Sequence, residues 1–223
     1  MTTTFRVRKV TAAMVMAAAF TVAVAADDAR LKEAATVITE MTSGGEATIA
    51  PSLLARARCI AVVPGVKKAA LGFGGQYGRG YLSCRKEGGG WSAPGGIRVE
   101  GGSVGFQIGG NETDLILLVQ NERGADRLLS SRFTVGADAT VAAGPVGRQA
   151  GAQTDATLTA EILAWSRARG AFAGISLQGS TLREDASENR ELYGREVPNR
   201  EIVRGNLEPP SAAAGLLAAL ARF

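Results

Sequence analysis

The sequence predicts an α+β fold: a strongly curved, glycine-rich, largely antiparallel β-sheet, barrel-like in its curvature, flanked by N-terminal and C-terminal helices. Three observations predict it. Fifteen of the 29 glycines lie between Gly72 and Gly110, a density that loops alone do not explain. From Leu71 to Cys84 the residues alternate, with Leu71, Phe73, Tyr77, Arg79 and Tyr81 on one parity and Ala70, Gly72, Gly74, Gly78 and Gly80 on the other, the period of a strand with one bare face. Apolar stripes at helical spacing occur at both ends. Glycine inside a strand costs conformational entropy and packs nothing, so a row of it marks a sharp bend or the close approach of another backbone.

The chain opens with Arg6, Arg8 and Lys9, an apolar run from Val10 to Val24, and Ala23-Val24-Ala25 as a small-residue cleavage site. This is the pattern of a secretory signal over residues 1–26; the run of about 15 residues is short of the roughly 20 that a spanning helix needs. An exported protein, periplasmic or secreted, is expected, with residues 27–223 as one domain. The formal charge of +4 comes from 25 basic and 21 acidic residues. Removing Arg6, Arg8 and Lys9 leaves 22 against 21, or +1, so the basic surface that a nucleic-acid partner requires is missing. The two cysteines, Cys59 and Cys84, both fall on predicted strands, and in an exported chain a disulfide between them is the simplest reading. Two separately buried thiols are the alternative.

In chain order, Asp27 and Asp28 can cap a helix whose Leu31, Ala34, Ala35, Ile38 and Met41 share a stripe and which Gly44-Gly45 ends. Pro51 starts a second, short helix with Leu53, Leu54 and Ala57 inward. Cys59 to Val63 reads as a short apolar strand stopped by Pro64-Gly65. The glycine-rich strand follows Lys67-Lys68, and Lys86 to Gly90 turns it into a hairpin towards Trp91 to Pro94. Ile97 and Val99 oppose Arg98 and Glu100, and Val104, Phe106 and Ile108 continue the apolar face. Leu115 to Val119 is apolar on both parities, which predicts a central buried strand. A helix over Glu122 to Ser131 precedes Phe133, Val135 and a strand over Thr140 to Ala143, before Gly144-Pro145 breaks the chain. Ala156 to Ser166 is ambiguous in period; a second hairpin, turning at Arg167 to Gly170 and returning over Phe172 to Gln178, is preferred to a helix. Glu184 to Tyr193 predicts a helix ended by Gly194, Glu201 to Arg204 a short strand or turn, and Ser211 opens a last helix with Leu216, Leu217, Leu220 and Phe223 inward.

The sequence contains no histidine, which excludes a serine-histidine-aspartate triad, a cysteine-histidine pair and a histidine-based zinc site. Gly101-Gly102-Ser103-Val104-Gly105 has the spacing of a nucleophile elbow, yet no histidine exists to activate the serine. The glycines before Gly80 do not form a dinucleotide or phosphate loop. Asp114, Asp138, Asp155 and Asp185 are expected to cap helices and turns. No catalytic residue, metal or cofactor is expected.

Several segments in a fixed order resemble one family. They are Cys59-Ile60-Ala61-Val62-Val63-Pro64, Gly72 to Gly80, Trp91-Ser92-Ala93-Pro94, Gly101 to Gly109, Ala142 to Arg148, Gly170 to Leu177, and Asn189-Arg190-Glu191-Leu192-Tyr193-Gly194. Together they resemble the SYLF lipid-binding family, whose eukaryotic members include yeast actin-patch proteins, over about Leu31 to Leu220. The resemblance implies binding of phosphoinositides through an amphipathic N-terminal helix with basic residues, and in some members binding of actin filaments. With a signal peptide, the chain resembles the exported bacterial branch, so the implied partner becomes an anionic phospholipid surface or another envelope component. The residues matching that character are Arg30, Leu31, Lys32, Ile38, Met41, Lys67 and Lys68. The expected function is thus non-enzymatic, peripheral lipid binding, and the alternative is a structural or protein-interaction module of the actin-binding kind with no lipid ligand.

Overall fold

The stripe Leu31, Ala34, Val37, Ile38 and Met41 winds into a helix over residues 28–43 (α1) in the computed structural model, which describes residues 28–43, 49–130, 132–144, 160–168, 171–172 and 180–223. The signal over residues 1–26, the Gly44-Gly45 stop, Pro145, half of the second hairpin's turn and most of its return lie outside the described residues. A short helix, α2 (Pro51–Arg56), begins on its proline as the sequence suggests, because the missing N–H of a first-turn proline would have no helical partner.

Two long strands form the spine: β1 (Cys59–Cys84) and β2 (Gly95–Val119). They pair antiparallel from Leu82↔Gly95 beside the Lys86–Gly90 turn out to Cys59↔Val119. Pro64-Gly65 does not stop the first strand. It sits in a register shift between Val63 and Val66, where Gly65 takes a positive φ of 55° and its N–H donates to Asp114 Oδ1 at 3.1 Å. A bulge absorbs the proline, and pairing resumes beyond it. After α3 (Glu122–Leu128), capped by Asn121, come β3 (Phe133–Thr134), β4 (Val141–Ala143), β5 (Ile162–Ala168), β6 (Ala171–Phe172) and β7 (Thr181–Glu184). On the far side of β2, β5 pairs with its end and β7 with its start; β3 extends β7, while β4 joins β5 in parallel. The seven strands among the described residues make an open, strongly curled half-barrel, antiparallel except for that last pair.

At Leu115–Val119 both faces of this sheet are covered. Leu115, Leu117 and Val119 point into a core completed by α3 and by α5 (Asn199–Arg204). Ile116 and Leu118 point into a second core made with α1, α2, Trp91 and the C-terminal helix α6 (Ala214–Leu220), which a 3-10 turn at Ser211–Ala213 leads into. That is why the segment is apolar on both parities. The segment Glu201–Arg204, expected as a strand or turn, belongs to α5. Pro198 immediately before it and Glu201 in its first turn favour a helix start.

The bare face has a physical cause. A Cβ on Gly78 would stand 2.9 Å from both Val63 Cγ1 and Val66 Cγ2, and one on Gly80 would overlap the Val62 carbonyl oxygen and lie 2.7 Å from Val63 Cα. The start of β1 therefore passes directly across its own second half. The strand has curled until its flanks meet: Arg85 N–H donates to the Arg58 carbonyl at 2.8 Å, and Cys59 and Cys84 are joined by a disulfide.

Candidate functional site

Leu31 and Ile38 are 0% exposed and Met41 1%, all three packed in the second core beneath α1. They are core residues in this fold, so the apolar half of the expected lipid contact can reach a membrane only if α1 leaves the sheet. Lys32 is exposed. Arg30 turns inward and donates to Glu188 Oε2 at 2.6 Å. Lys67 and Lys68 stand on β1 in register with Glu112 and Asn111; Lys67 is exposed, and partial burial lowers the pKa of Lys68. The expected residues are thus divided among a core face, a buried ion pair and a separate strand.

The sequence gives no warning of the polar cluster that Arg30 joins. Asp185 caps α4 (Ala186–Tyr193), accepting from Glu188 N–H at 3.3 Å. The spacing of Asp185 and Glu188 is that of a capping box, but the Glu188 side chain reaches across the sheet instead of back to the cap. Fully buried, it accepts from the Tyr81 hydroxyl and faces Arg30 at 2.6 Å and Arg79 Nη2 at 3.2 Å. Arg79 Nε also donates to Asp185 Oδ2 at 2.6 Å. Burial alone would raise the Asp185 carboxyl, but hydrogen bonds from Arg79 and Ser187 and the Arg79 charge hold it below its ordinary value. Burial first, and then the charge and hydrogen bond of Glu188, push the Tyr81 phenol up. Next along the helix, Asn189 accepts from Gly96 N–H at 2.7 Å and donates to Asn199 Oδ1 at 2.8 Å, and Asn199 donates to the Gly96 carbonyl at 2.8 Å. These side chains hold α4 and α5 on the start of β2. Gly95 and Gly96 leave the room for it: a Cβ on Gly96 would lie 2.7 Å from Glu188 Cβ. Every charge in the cluster has an opposite partner, which is the arrangement of a structural lock.

At the end where β1 closes, a groove is lined by Arg58, Arg85, Lys86, Glu122, Asp126 and Arg204, among others. Arg58 pairs with Glu122 at 3.0 Å, and Arg204 reaches Glu122 at 3.2 Å and Asp126 at 3.0 Å. The Arg85 guanidinium lies 4.4 Å from the centroid of the Trp91 ring and donates to the Phe223 carbonyl at 3.0 Å, tying the end of the chain to the hairpin. The groove is open, polar and of mixed sign, suited to contact with a macromolecular surface and lacking the enclosed apolar character of a small-molecule site. Among the described residues no group of three His, Cys, Asp or Glu side chains is placed to hold a metal ion, and no helix is long and apolar enough to cross a membrane.

Residues 100–223 match a family model described as Ysc84, Las17-binding protein actin regulator. Protein YSC84 of Saccharomyces cerevisiae is 35% identical over 178 residues, covering 78% of this chain and 38% of that protein. The SH3 domain-containing protein PJ696.02 of Schizosaccharomyces pombe is 34% identical over 175 residues, 77% of this chain and 40% of its own length. The SH3 domain-containing YSC84-like protein 1 of Xenopus laevis is 34% identical over 199 residues, 86% of this chain and 59% of its own length. The chain therefore spans between about two fifths and three fifths of these relatives.

Proposed function

The chain belongs to the Ysc84, or SYLF, family, and from that premise we propose that it is a non-catalytic protein-interaction module of the actin-regulator kind that the family's description names. The observation that carries this reading is the match over residues 100–223, which begins within β2 and takes in everything after it, including α3 and α5 on one face of the sheet and α6 on the other. The geometry is in keeping with it: an open sheet, a shallow groove of mixed charge, and carboxylates whose partners are arginines. A chain without histidine has no access to the commonest general base, and binding accounts for the architecture of paired charges without any reacting group.

Peripheral binding to anionic phospholipid is the competing reading, and its demands are now specific. Insertion through Leu31, Ile38 and Met41 would break the second core and the Arg30–Glu188 pair. Cosedimentation of the purified protein with filamentous actin, in parallel with flotation on anionic and neutral vesicles, separates the two. Pelleting with filaments and no preference for anionic vesicles is the expected result. Flotation with anionic vesicles and no filament pelleting would replace the protein-interaction reading with the lipid one, and binding to neither would remove the actin-type reading.

A further inference from the structure

Three neighbouring strands place arginines side by side. Arg79 of β1 is the register partner of Arg98 of β2, and Arg98 is the partner of Arg183 of β7. Like charges directly opposite one another destabilise a sheet unless something answers them. Arg79 is answered by Asp185 and Glu188. Arg98 and Arg183 share a single carboxylate, Glu100, at 2.8 Å from Arg98 Nε and 3.7 Å from Arg183 Nε. Neither contact is a directed hydrogen bond: both Nε atoms are buried and without a hydrogen-bond partner. Buried donors in that condition are uncommon and call for an explanation.

The same face continues outward to Tyr77, the partner of Glu100. At 50% exposure it is the one exposed large hydrophobic side chain among the described residues. Arg98, Glu100 and Arg183 are 34%, 36% and 37% exposed, so a ligand can reach them. Tyrosine and arginine are the residue types that dominate binding energy at protein interfaces.

We propose that Tyr77, Arg98 and Arg183 form the docking surface for an acidic segment of a partner protein, a carboxylate of which pairs with the exposed part of the two guanidinium groups, whose charge the single Glu100 leaves in excess. This rests on the protein-interaction reading and names the surface and the partner's chemistry. A carboxylate fits a guanidinium fork in the bidentate manner. Glu100, standing between the arginines and beside Tyr77, selects for it over a phosphate, because a second negative charge on the ligand would increase repulsion at the same distance. Tyr77 supplies the apolar contact that a flanking leucine of the segment would cover.

The test uses a fluorescein-labelled peptide of glutamate and leucine, with a glutamine-and-leucine peptide as control, and reads anisotropy against the whole protein at low and high salt. The glutamate peptide is expected to bind more tightly than the control and to weaken with salt. An Arg98→Gln, Arg183→Gln double variant is expected to weaken it about tenfold or more, the scale of losing a charge-assisted contact, and Tyr77→Ser to weaken it with the fold intact by thermal unfolding. Lys86→Gln, in the groove at the other end, is expected to leave binding unchanged. Equal binding of the two peptides, or equal binding by wild type and both patch variants, overturns the proposal. Arginine-dependent binding of anionic vesicles without peptide binding overturns it too, in favour of a phosphate site. The readout is the peptide, so failure of filament pelleting leaves this surface standing, and loss of this surface leaves filament pelleting to be judged by itself.

Discussion

Gly80 shows how a single residue can carry the shape of a sheet. Any side chain there meets the Val62 carbonyl and Val63 Cα, which are backbone and cannot swing aside. Gly80→Ala is therefore expected to cost about 3 kcal/mol, the upper end of what overpacking usually costs, while Gly88→Ala, where a Cβ meets nothing within 4 Å, is expected to change stability by less than about 0.5 kcal/mol. Urea denaturation of the two variants checks the contrast. Gly89 would be a poor control, since its φ of 90° strains any side chain whatever the space. Asp185 gives a second residue-scale test. Its carboxyl is held below the ordinary value, so it contributes stability above the unfolded carboxylate pKa of about 4, and that contribution is lost as pH falls through the lower folded value. Asp185→Asn is expected to cost about 3 kcal/mol near neutrality, as breaking a buried pair does. The gap between variant and wild-type melting temperatures is expected to narrow as the pH is lowered below about 4; a constant gap would mean that the loss does not come from the carboxylate charge.

Among the elements, what was legible in the sequence is what depends on local period. The stripe of α1, the proline start of α2, the two-sided apolar run of Leu115–Val119 and the C-terminal helix with Leu216 and Leu220 inward all follow from spacing and punctuation. The Pro64-Gly65 bulge was not legible, because the same dipeptide ends a strand unless a partner such as Asp114 across the sheet receives the freed N–H. Asn199–Arg204 is too short for period to decide and is held by contacts from Asn189 and Glu184. The candidate surfaces were least legible of all. Arg79, Arg98 and Arg183 are far apart in the chain and meet only through register, and the lipid-contact expectation used an amphipathic stripe that looks the same whether a sheet or a membrane covers it. For α1 the sheet is what covers it, and the expected outcome is measurable. Leu31→Ala should cost about 2–5 kcal/mol, as truncation in a core does, whereas Lys32→Ala on the exposed side of the same helix should cost less than about 0.5 kcal/mol; equal, small losses would mean that the helix is not part of the core.

For the molecule as a whole, the Cys59–Cys84 bond links positions 25 residues apart, and removing it with a Cys59→Ala, Cys84→Ala pair is expected to cost roughly 3–4 kcal/mol by loop entropy, read as a lower denaturation midpoint with an altered m-value if the unfolded chain expands. The order in which this closure occurs follows from the register. Pairing of β1 with β2 is most local beside the Lys86–Gly90 turn, where Leu82 meets Gly95, and least local at the far end, where Cys59 meets Val119. A hairpin closes its short loops first, so the ribbon zips away from the turn, and the two sulfurs stay apart until the first residues of β1 have been laid across Gly78 and Gly80. Oxidation of this pair is thus a clock for the end of folding: thiols trapped by rapid alkylation during refolding should disappear only after the β-sheet signal is nearly complete, and a chain in which Gly80 carries a methyl group should fold its hairpin yet remain reduced for longer.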